Sequence, residues 1–243
     1  IWMKYNVFEN KNCFITGATG GIGREIAIKM AENRCNLFLT STDESKLKNL
    51  QEEIETLQNK NNIFYQEADL TQFQAANQLI AAARDKLGAI DIIINCAGVF
   101  IVKPLSGLNL EDFETTFNLN VRAPFIFCKE FSRDMQKKRW GRIVNIGSSS
   151  AYMGSKETTL YCAAKHAILG LSRALHSELK EHNIRTFCVS PAGVKTEMGK
   201  KIRNQNYNTF LDPKEIAKYI AFICSFDSEL ISDEIRLNRM VIE

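Results

Sequence analysis

Short apolar runs alternate with longer stretches of helical spacing along most of the chain. The apolar runs predict strands at residues 12–16, 36–40, 63–66, 91–95, 141–146, 184–190 and 234–237. Several are apolar throughout, as in strands that are buried on both faces. The stretches between them predict helices at residues 22–33, 45–59, 72–87, 110–139, 159–182 and 213–226. This alternation predicts an α/β fold, with a doubly wound parallel sheet of about seven strands and helices on both faces.

Composition narrows the class of protein without identifying it. The chain has 243 residues, of which 45% are hydrophobic and 24% charged, and no linker or repeat interrupts it. We therefore expect one globular domain over residues 1–243. The formal net charge of +3 gives no reason to expect a nucleic-acid partner. Because no apolar run approaches the roughly 18 residues of a membrane span, and no secretory signal is evident, we expect a cytoplasmic protein without a membrane partner.

The seven cysteines are scattered and never form a Cys-x-x-Cys pair. Such spacing favours neither a zinc site nor a disulfide framework. Most of them lie in apolar strings, which is typical of small buried side chains in a reducing compartment. We predict no metal site.

A glycine-rich turn over residues 16–23 joins the first predicted strand to the first helix, with glycines at 17, 21 and 23. Glycine permits unusual backbone angles and lets a pyrophosphate approach the backbone closely, and the helix N-terminus offers free N–H groups. The spacing differs from Gly-x-Gly-x-x-Gly. Two interpretations therefore stand: a simple strand–helix connection, or a dinucleotide-binding turn.

Tyr161 and Lys165 are four residues apart, so they share one face of a predicted helix. A neighbouring ammonium favours the phenolate, and so we expect Lys165 to lower the pKa of Tyr161 towards a range useful for proton transfer. Ser148 follows a predicted strand, at the sheet edge where sites of open α/β folds collect. A Tyr-x-x-x-Lys pair alone is usually an exposed helix pair; its occurrence together with the glycine turn and Ser148 favours a catalytic site.

These features together resemble the short-chain dehydrogenase/reductase family over nearly the whole chain, and within it the single-domain members similar to 3-oxoacyl-acyl-carrier-protein reductases. Residues 16–23 resemble its TGxxxGxG turn, residues 95–98 its NNAG motif, and residues 161–165 its YxxxK motif. The resemblance implies a Rossmann fold and an NAD(P)H-dependent oxidoreductase that transfers a hydride between nicotinamide and a ketone or secondary alcohol.

The resemblance also implies the roles of four residues. Tyr161 is expected to act as general acid in reduction and general base in oxidation, and Lys165 to lower its pKa and bind the nicotinamide ribose. Ser148 is expected to polarise the carbonyl. Asn120 matches the helix asparagine that holds a proton-relay water.

Cofactor contacts follow from the same resemblance. Asp69 is similar to the acid that contacts adenine, and residues 191–196 resemble the PGxxxT segment that lies against the nicotinamide. The expected contacts are Gly17, Thr19, Gly21, Ile22, Gly23, Ser41, Thr42, Asp69, Leu70, Asn95, Ala97, Gly98, Ile146, Tyr161, Lys165, Pro191, Gly193, Val194 and Thr196.

The end of the second strand bears on the choice between NADP and NAD. An acid at that position would bind the ribose hydroxyls of NAD and repel a 2′-phosphate, but Ser41 and Thr42 stand there. The family often places a cation for NADP at the positions that Thr42 and Gly20 take here, but no arginine stands at either. Asp43 is close by and is expected to cap the next helix. NADP is predicted, with NAD as the alternative.

Three departures from the family pattern are visible. Cys96 takes the second position of the NNAG motif, and Ala192 takes a usual glycine position. The C-terminal segment lacks the glycine pair that many members carry after the last strand, which puts the usual C-terminal subunit contacts in doubt.

The expected substrate loop, about residues 196–211, is basic. Lys195, Lys200, Lys201 and Arg203 surround a single acid, Glu197. This pattern predicts an anionic or carrier-bound 3-oxo substrate, with acyl carrier protein as a candidate partner; a solvated loop is the alternative. A second basic cluster, residues 137–139, would either dock an acidic carrier or complement a helix dipole. By resemblance, the chain is expected to form a homodimer or homotetramer through the helices at 110–139 and 159–182.

Two other functions remain open at this point. One is a non-catalytic dinucleotide sensor, although such proteins usually lose the tyrosine or the lysine. The other is an epimerase or dehydratase acting on a sugar nucleotide, which normally needs a longer substrate region.

Overall fold

The computed structural model describes residues 7–57 and 61–240. The strands are β1 Asn12–Thr16, β2 Asn36–Ser41, β3 Ile63–Glu67, β4 Ile92–Asn95, β5 Gly141–Ile146, β6 Ile184–Pro191 and β7 Glu234–Leu237. The α-helices are α1 Gly21–Glu32, α2 Glu44–Glu55, α3 Ala75–Leu87, α4 Leu110–Phe117, α5 Ala123–Lys138, α6 Thr159–Leu179 and α7 Pro213–Cys224. No helix in the described ranges is long and apolar enough to cross a bilayer.

The strands form one parallel sheet in the order β3-β2-β1-β4-β5-β6-β7, which is the predicted doubly wound Rossmann arrangement. The chain winds outward from β1 in one direction and from β4 in the other. Thr16 pairs with Asn95, and Asn95 pairs with Asn145, so the carboxyl ends of the three central strands lie side by side. A crevice at this reversal point is where open α/β sheets bind ligands.

Alternate residues of the central strands pack on opposite faces of the sheet. Cys13 and Ile15 of β1 join the core formed with α1, α2 and α7. Phe14, between them, joins the core formed with α3, α5 and α6, and its ring lies 4.8 Å from that of Phe127. Helices on both faces therefore bury the whole of β1, which explains its uninterrupted apolar sequence.

The helix predicted over residues 110–139 is the main difference in secondary structure. It is divided into α4 and α5 by a single π-helical turn, Asn118–Arg122. Pro124 stands at the start of α5, and proline has no N–H for the carbonyl four residues earlier and clashes with it. A π turn absorbs this conflict without ending the helical run.

Other predicted bounds agree closely with the structure. The helix predicted at 45–59 ends at Glu55, and its predicted residues 58 and 59 lie outside the described residues. All seven cysteines are free thiols; Cys96 and Cys162 are partly exposed, and the other five are buried.

Candidate active site

One large cavity, of about 1480 Å³, opens along the carboxyl edge of the sheet. Its walls come from the glycine turn, the ends of β2, β4 and β5, the first turns of α6, and the segment after β6. The predicted residues that line it are Gly17, Thr19, Gly21, Ile22, Gly23, Ser41, Thr42, Leu70, Ala97, Gly98, Asn120, Ile146, Ser148, Tyr161, Lys165, Pro191, Gly193, Val194 and Thr196.

The glycine turn is so tightly packed that a Cβ on any of its three motif glycines would collide with a neighbouring group. Gly17 has a φ of +64°, and a Cβ there would lie 2.8 Å from the Cα of Ala97. A Cβ on Gly21 would contact Cγ2 of Thr196, and one on Gly23 would collide with the Gly17 carbonyl oxygen. At its glycines the turn therefore brings bare backbone to the cavity wall at the start of α1.

Thr16 anchors this turn to the loop after β4, a role that the sequence motif did not reveal. Its Oγ1 accepts hydrogen bonds from the N–H groups of Cys96 and Ala97, each at 3.1 Å. The two loops that flank the reversal point of the sheet are thus held together by one buried hydroxyl.

Tyr161 lies in the first turn of α6, buried and with its ring edge-on to Phe100 at 4.7 Å. Burial raises the pKa of Tyr161 to about 12, while a hydrogen bond with Ser148 acts in the opposite direction. Ser148 Oγ accepts a hydrogen bond from the Ser150 N–H at 3.1 Å. The hydroxyl and the phenol therefore meet at one point of the cavity.

Lys165 lies one turn along α6 from Tyr161. Its Nζ donates to the Ile146 carbonyl oxygen at 2.8 Å and lies 5.5 Å from the centre of the Tyr161 ring. Burial lowers the pKa of Lys165 to about 8. The pKa of Tyr161 is therefore raised overall and not lowered as expected, because apolar surroundings penalise the phenolate and the ammonium alike, and burial is the largest effect on each.

Asn120 is buried in the π turn. Its Nδ2 donates to the Thr116 carbonyl oxygen at 2.9 Å and to the Val99 carbonyl oxygen at 3.2 Å. Within the described residues its Oδ1 accepts no hydrogen bond. A Cβ added to Gly98 would lie 2.7 Å from this oxygen and 3.9 Å from Nζ of Lys165, so all three groups adjoin. An unpaired buried acceptor beside a buried ammonium is a place for a water molecule or a ligand hydroxyl.

Two predicted cofactor residues do not reach the wall of the large cavity. Asn95 is buried, and its Nδ2 donates to Asn145 Oδ1 at 2.8 Å; Asn145 in turn donates to Ser172 Oγ at 2.9 Å. Asp69 accepts hydrogen bonds from the N–H and hydroxyl of Thr71, and it lines a neighbouring cavity of about 430 Å³. Asn95 thus ties β4 to β5 and α6, and the direct neighbours of Asp69 line the large cavity in its place.

At the end of β2, Asp43 caps α2 as expected, its Oδ1 accepting from the Lys46 N–H at 3.0 Å. Lys46 itself was not predicted. It lines the cavity beside Ser41 and Thr42, and its Nζ lies 2.9 Å from Asp43 Oδ2. A cation therefore does stand at this end of the cavity, brought there by the first turn of α2.

A family model, "short chain dehydrogenase", matches residues 11–207. The chain belongs to the short-chain dehydrogenase family. The predicted fold and the predicted enzyme class, an NAD(P)-dependent short-chain dehydrogenase/reductase, are thereby confirmed.

Individual members resemble this short-chain dehydrogenase over almost its full length. The 3-oxoacyl-acyl-carrier-protein reductase FabG of Aquifex aeolicus (strain VF5) is 29% identical over 238 residues, which cover 93% of this chain and 95% of that protein. A blue fluorescent protein from a metagenomic library, solved in complex with NADPH, is 28% identical with a TM-score of 0.85, covering 95% and 96% of the two chains. An alcohol dehydrogenase from the archaeon Thermococcus sibiricus, complexed with 5-hydroxy-NADP, shares the fold at 23% identity with a TM-score of 0.86, covering 96% and 97%.

The far end of the cavity of this short-chain dehydrogenase is bounded by the segment after β6. There Lys200 pairs with Glu197 at 2.5 Å and does not line the cavity, whereas Lys195 and Lys201 do. Arg203 pairs with Glu157 at 3.2 Å across the opening. Only some of the basic residues predicted in this loop therefore line the cavity.

Two further cations at this end, Arg236 and Arg239, were not predicted. They come from β7 and the residues after it. Nothing in their local sequence distinguishes them from surface arginines, because the pairing of β7 with β6 is what carries them to the cavity. In the described part of the chain no cluster of three or more metal-ligating side chains occurs.

Proposed function

We propose that this enzyme is an NADPH-dependent reductase of a ketone, working also as a dehydrogenase of the corresponding secondary alcohol. One observation carries the proposal: a phenol, a hydroxyl, an ammonium and an unpaired amide oxygen line the same cavity as the glycine turn. Each of these groups has the chemistry that carbonyl reduction requires.

The residues fit a nicotinamide dinucleotide. The glycine turn leaves room for backbone N–H groups, at the positive end of α1, to meet a pyrophosphate, and a Cβ on Gly17 or Gly21 would crowd this turn. Residues 191–196 and Lys165 would hold the nicotinamide end. A bound nicotinamide dinucleotide supplies the hydride that reduces the carbonyl carbon.

The chain itself handles the carbonyl oxygen. Ser148 Oγ accepts from the Ser150 N–H and is hydrogen-bonded to the Tyr161 phenol, and its hydrogen would turn to a substrate carbonyl oxygen once one is bound. Tyr161 keeps its proton well above neutral pH, which suits a general acid that protonates this oxygen during reduction. The charged Lys165 then stabilises the phenolate that is left, and Asn120 holds a water through which the proton is returned. In the oxidation direction each proton moves the opposite way.

Three features support NADP over NAD. Ser41 and Thr42 place no acid at the end of β2, and Lys46 adds a positive charge to the cavity beside them. A 2′-phosphate would accept a hydrogen bond from the Lys46 ammonium in competition with Asp43. The NADPH bound by the metagenomic relative agrees with this preference. NAD is the alternative cofactor.

The names of the curated relatives make 3-oxoacyl thioesters candidate substrates and an acyl carrier protein a candidate partner. The basic cluster at residues 137–139 is poorly placed to bind that carrier. It precedes β5 and so lies at the amino edge of the sheet, about 20 Å from the carboxyl edge at 3.3 Å per residue. Its members are also in use, since Lys138 pairs with Asp91 at 2.6 Å.

We also propose that the enzyme forms a homodimer or homotetramer. Large apolar side chains are exposed on α4, α5 and α7, among them Phe113, Phe125 and Phe222. Helices that cover a sheet on one side and present such side chains on the other are suited to pairing with a second copy.

The test is incubation with NADPH and a panel of ketones, followed by the nicotinamide absorbance. We expect oxidation of NADPH with at least one ketone, and a loss of about 10² to 10⁴ in kcat for Tyr161→Phe with the nucleotide affinity kept. Binding of NADPH without turnover of any ketone would favour a dinucleotide sensor instead. Conversion of a sugar nucleotide without net NADPH consumption would favour an epimerase or dehydratase.

A further inference from the structure

Arg236 lies in β7 and Arg239 just after it, and both line the large cavity. Arg236 pairs with Ser190 in the β6–β7 register, and Ser190 Oγ lies directly against Gly147, the residue before Ser148. The Arg236 guanidinium lies over the ring of Tyr152, 4.3 Å from the ring centre. The arginine is thus held against the wall of the cavity near the proposed carbonyl-binding hydroxyl.

Arg239 is held from the other side by the substrate loop. Its Nη2 donates to Gln205 Oε1 at 2.7 Å and its Nη1 to Thr209 Oγ1 at 3.1 Å, while the guanidinium lies 4.9 Å from the centre of the Phe210 ring. Its Nε is buried and has no hydrogen-bond acceptor among residues 7–57 and 61–240. The side chain is therefore positioned in detail, yet all its partners are neutral.

The acids at this end of the cavity are already neutralised. Glu157 pairs with Arg203 and Glu197 pairs with Lys200. By contrast, Arg236 and Arg239 form no ion pair within the described ranges, and Lys195 and Lys201 form none there either. This end of the cavity carries an excess of positive charge next to low-dielectric walls, which attracts an anion.

We propose that Arg236 and Arg239 form a subsite for a carboxylate or phosphate group carried by the ketone substrate itself. The subsite rests on the proposed function, whose substrate class it narrows. Cofactor phosphates have their own positive partners at the other end of the cavity, the N-terminus of α1 and Lys46. An anion held here therefore belongs to the substrate.

The distance between strands sets the size of that substrate. β7 lies two strands from β5, which is about 10 Å between backbones, and the Arg236 guanidinium lies over the ring of Tyr152, four residues after Ser148. The anionic group therefore lies only a few bonds from the carbonyl that Ser148 meets. A short oxo acid or a phosphorylated short ketone has this spacing, whereas the phosphate of a carrier-bound thioester is many bonds further away.

The experiment compares acids with their neutral counterparts. Acetoacetate is paired with its methyl ester and dihydroxyacetone phosphate with dihydroxyacetone, and acetoacetyl-coenzyme A forms a third arm. For Arg236→Gln and Arg239→Gln, we expect the KM of the preferred anionic compound to rise at least about tenfold, with its neutral partner changed less than about twofold. A response of the acetoacetate pair indicates that the subsite binds a carboxylate. A response of the dihydroxyacetone phosphate pair indicates that it binds a phosphate.

Control variants separate charge from structure. Lys218→Gln removes an exposed positive charge from α7, outside the cavity, and it is expected to leave the acid-to-ester ratio of KM unchanged. Gln205→Met and Thr209→Val remove the loop contacts that position Arg239 but keep its guanidinium, and should weaken the anion preference less than Arg239→Gln does. Arg239→Lys should restore part of that preference.

Binding is also measured without turnover, by calorimetric titration of malonate and of inorganic phosphate into the NADPH-loaded protein. We expect binding to the parent protein and at least a tenfold loss in Arg239→Gln. An unchanged ratio and unchanged binding in the double variant Arg236→Gln/Arg239→Gln would overturn the subsite, as would an equal loss for acetoacetyl-coenzyme A. If no ketone is reduced but malonate binding still depends on the arginines, the proposed function fails, and only the binding of an anion by the two arginines stands.

Discussion

Lys165 places its ammonium 5.5 Å from the centre of the Tyr161 ring while donating to the carbonyl oxygen of Ile146. Both side chains belong to one face of α6, and both are buried. Burial acts on them in opposite directions, raising the pKa of the phenol to about 12 and lowering that of the ammonium to about 8. Tyr161 therefore stays protonated at physiological pH, whereas the charge of Lys165 changes as the pH passes about 8.

The first prediction concerns this charge. As the pH rises through about 8, Lys165 loses its proton and with it the positive charge that stabilises the developing phenolate. We expect kcat/KM for ketone reduction to fall about tenfold per pH unit above that point, since kcat/KM reports ionisations of the free enzyme.

Lys165→Arg provides the control, because a guanidinium stays charged beyond pH 12. Its kcat/KM should be lower overall but should no longer fall through pH 8. A parent profile that stays level from pH 7 to 10 would contradict the role given to Lys165.

A second prediction follows from the contact between the glycine turn and Thr196. Gly21→Ala places a methyl group against Cγ2 of Thr196, and we expect the Kd for NADPH to rise about tenfold or more. Thr196→Ser removes that methyl group and leaves the hydroxyl, so the double variant should recover part of the affinity. Calorimetric titration of NADPH measures each step; equal losses in the single and the double variant would mean that this contact is not the cause.

Lys46 gives a third prediction, on cofactor choice. Lys46→Met removes the cation beside Ser41 and leaves Asp43 unpaired, so we expect the Kd for NADPH to rise about tenfold with little change for NADH. Lys48→Met is the matched control, since Lys48 lies on the same helix, is exposed and does not line the cavity. Equal losses of affinity for NADPH and NADH would show that Lys46 does not bind the 2′-phosphate.

The fourth prediction concerns stability. Arg142 of β5 is fully buried and donates to the carbonyl oxygens of Cys224 and Phe226 and to the carboxylate of Asp227, which fastens the end of α7 to the sheet. Arg142→Met leaves these carbonyl groups without a donor, and we expect the free energy of unfolding to fall by about 2–4 kcal/mol. Urea unfolding measures it, with the exposed Arg133→Met as a control that should change little. An equally small effect at position 142 would contradict this role.

Much of the fold could be predicted from the sequence because its signals are local. Buried parallel strands such as β1 and β5 are short apolar runs with sharp ends, and their predicted bounds match the structure. The candidate catalytic set was likewise visible, since Tyr161 and Lys165 are one helical turn apart and Ser148 comes two residues after the end of β5. Their individual roles stay predictions until variants are measured.

Features that depend on distant contacts could not be predicted. The π turn at Asn120 arises from Pro124 within a stretch whose spacing is helical throughout, and periodicity alone does not detect it. Arg236 reaches the cavity only through the pairing of β7 with β6. The pKa of Tyr161 depends on how deeply it is buried, which the spacing to Lys165 does not reveal.

The segment Asn118–Arg122 has a consequence for how this enzyme can evolve. A π turn contains one residue more than a regular turn, so deleting one residue would restore a regular turn, bring back the clash at Pro124 and leave the faces of α4 and α5 nearly unchanged. Phe127 and Phe131 would keep their places beside Phe14, while the deletion removed or redirected the Asn120 amide beside Gly98. A descendant could therefore lose its proposed chemistry by shortening this segment and still keep its core. Such a lineage would be left as a protein that binds the nucleotide without turnover.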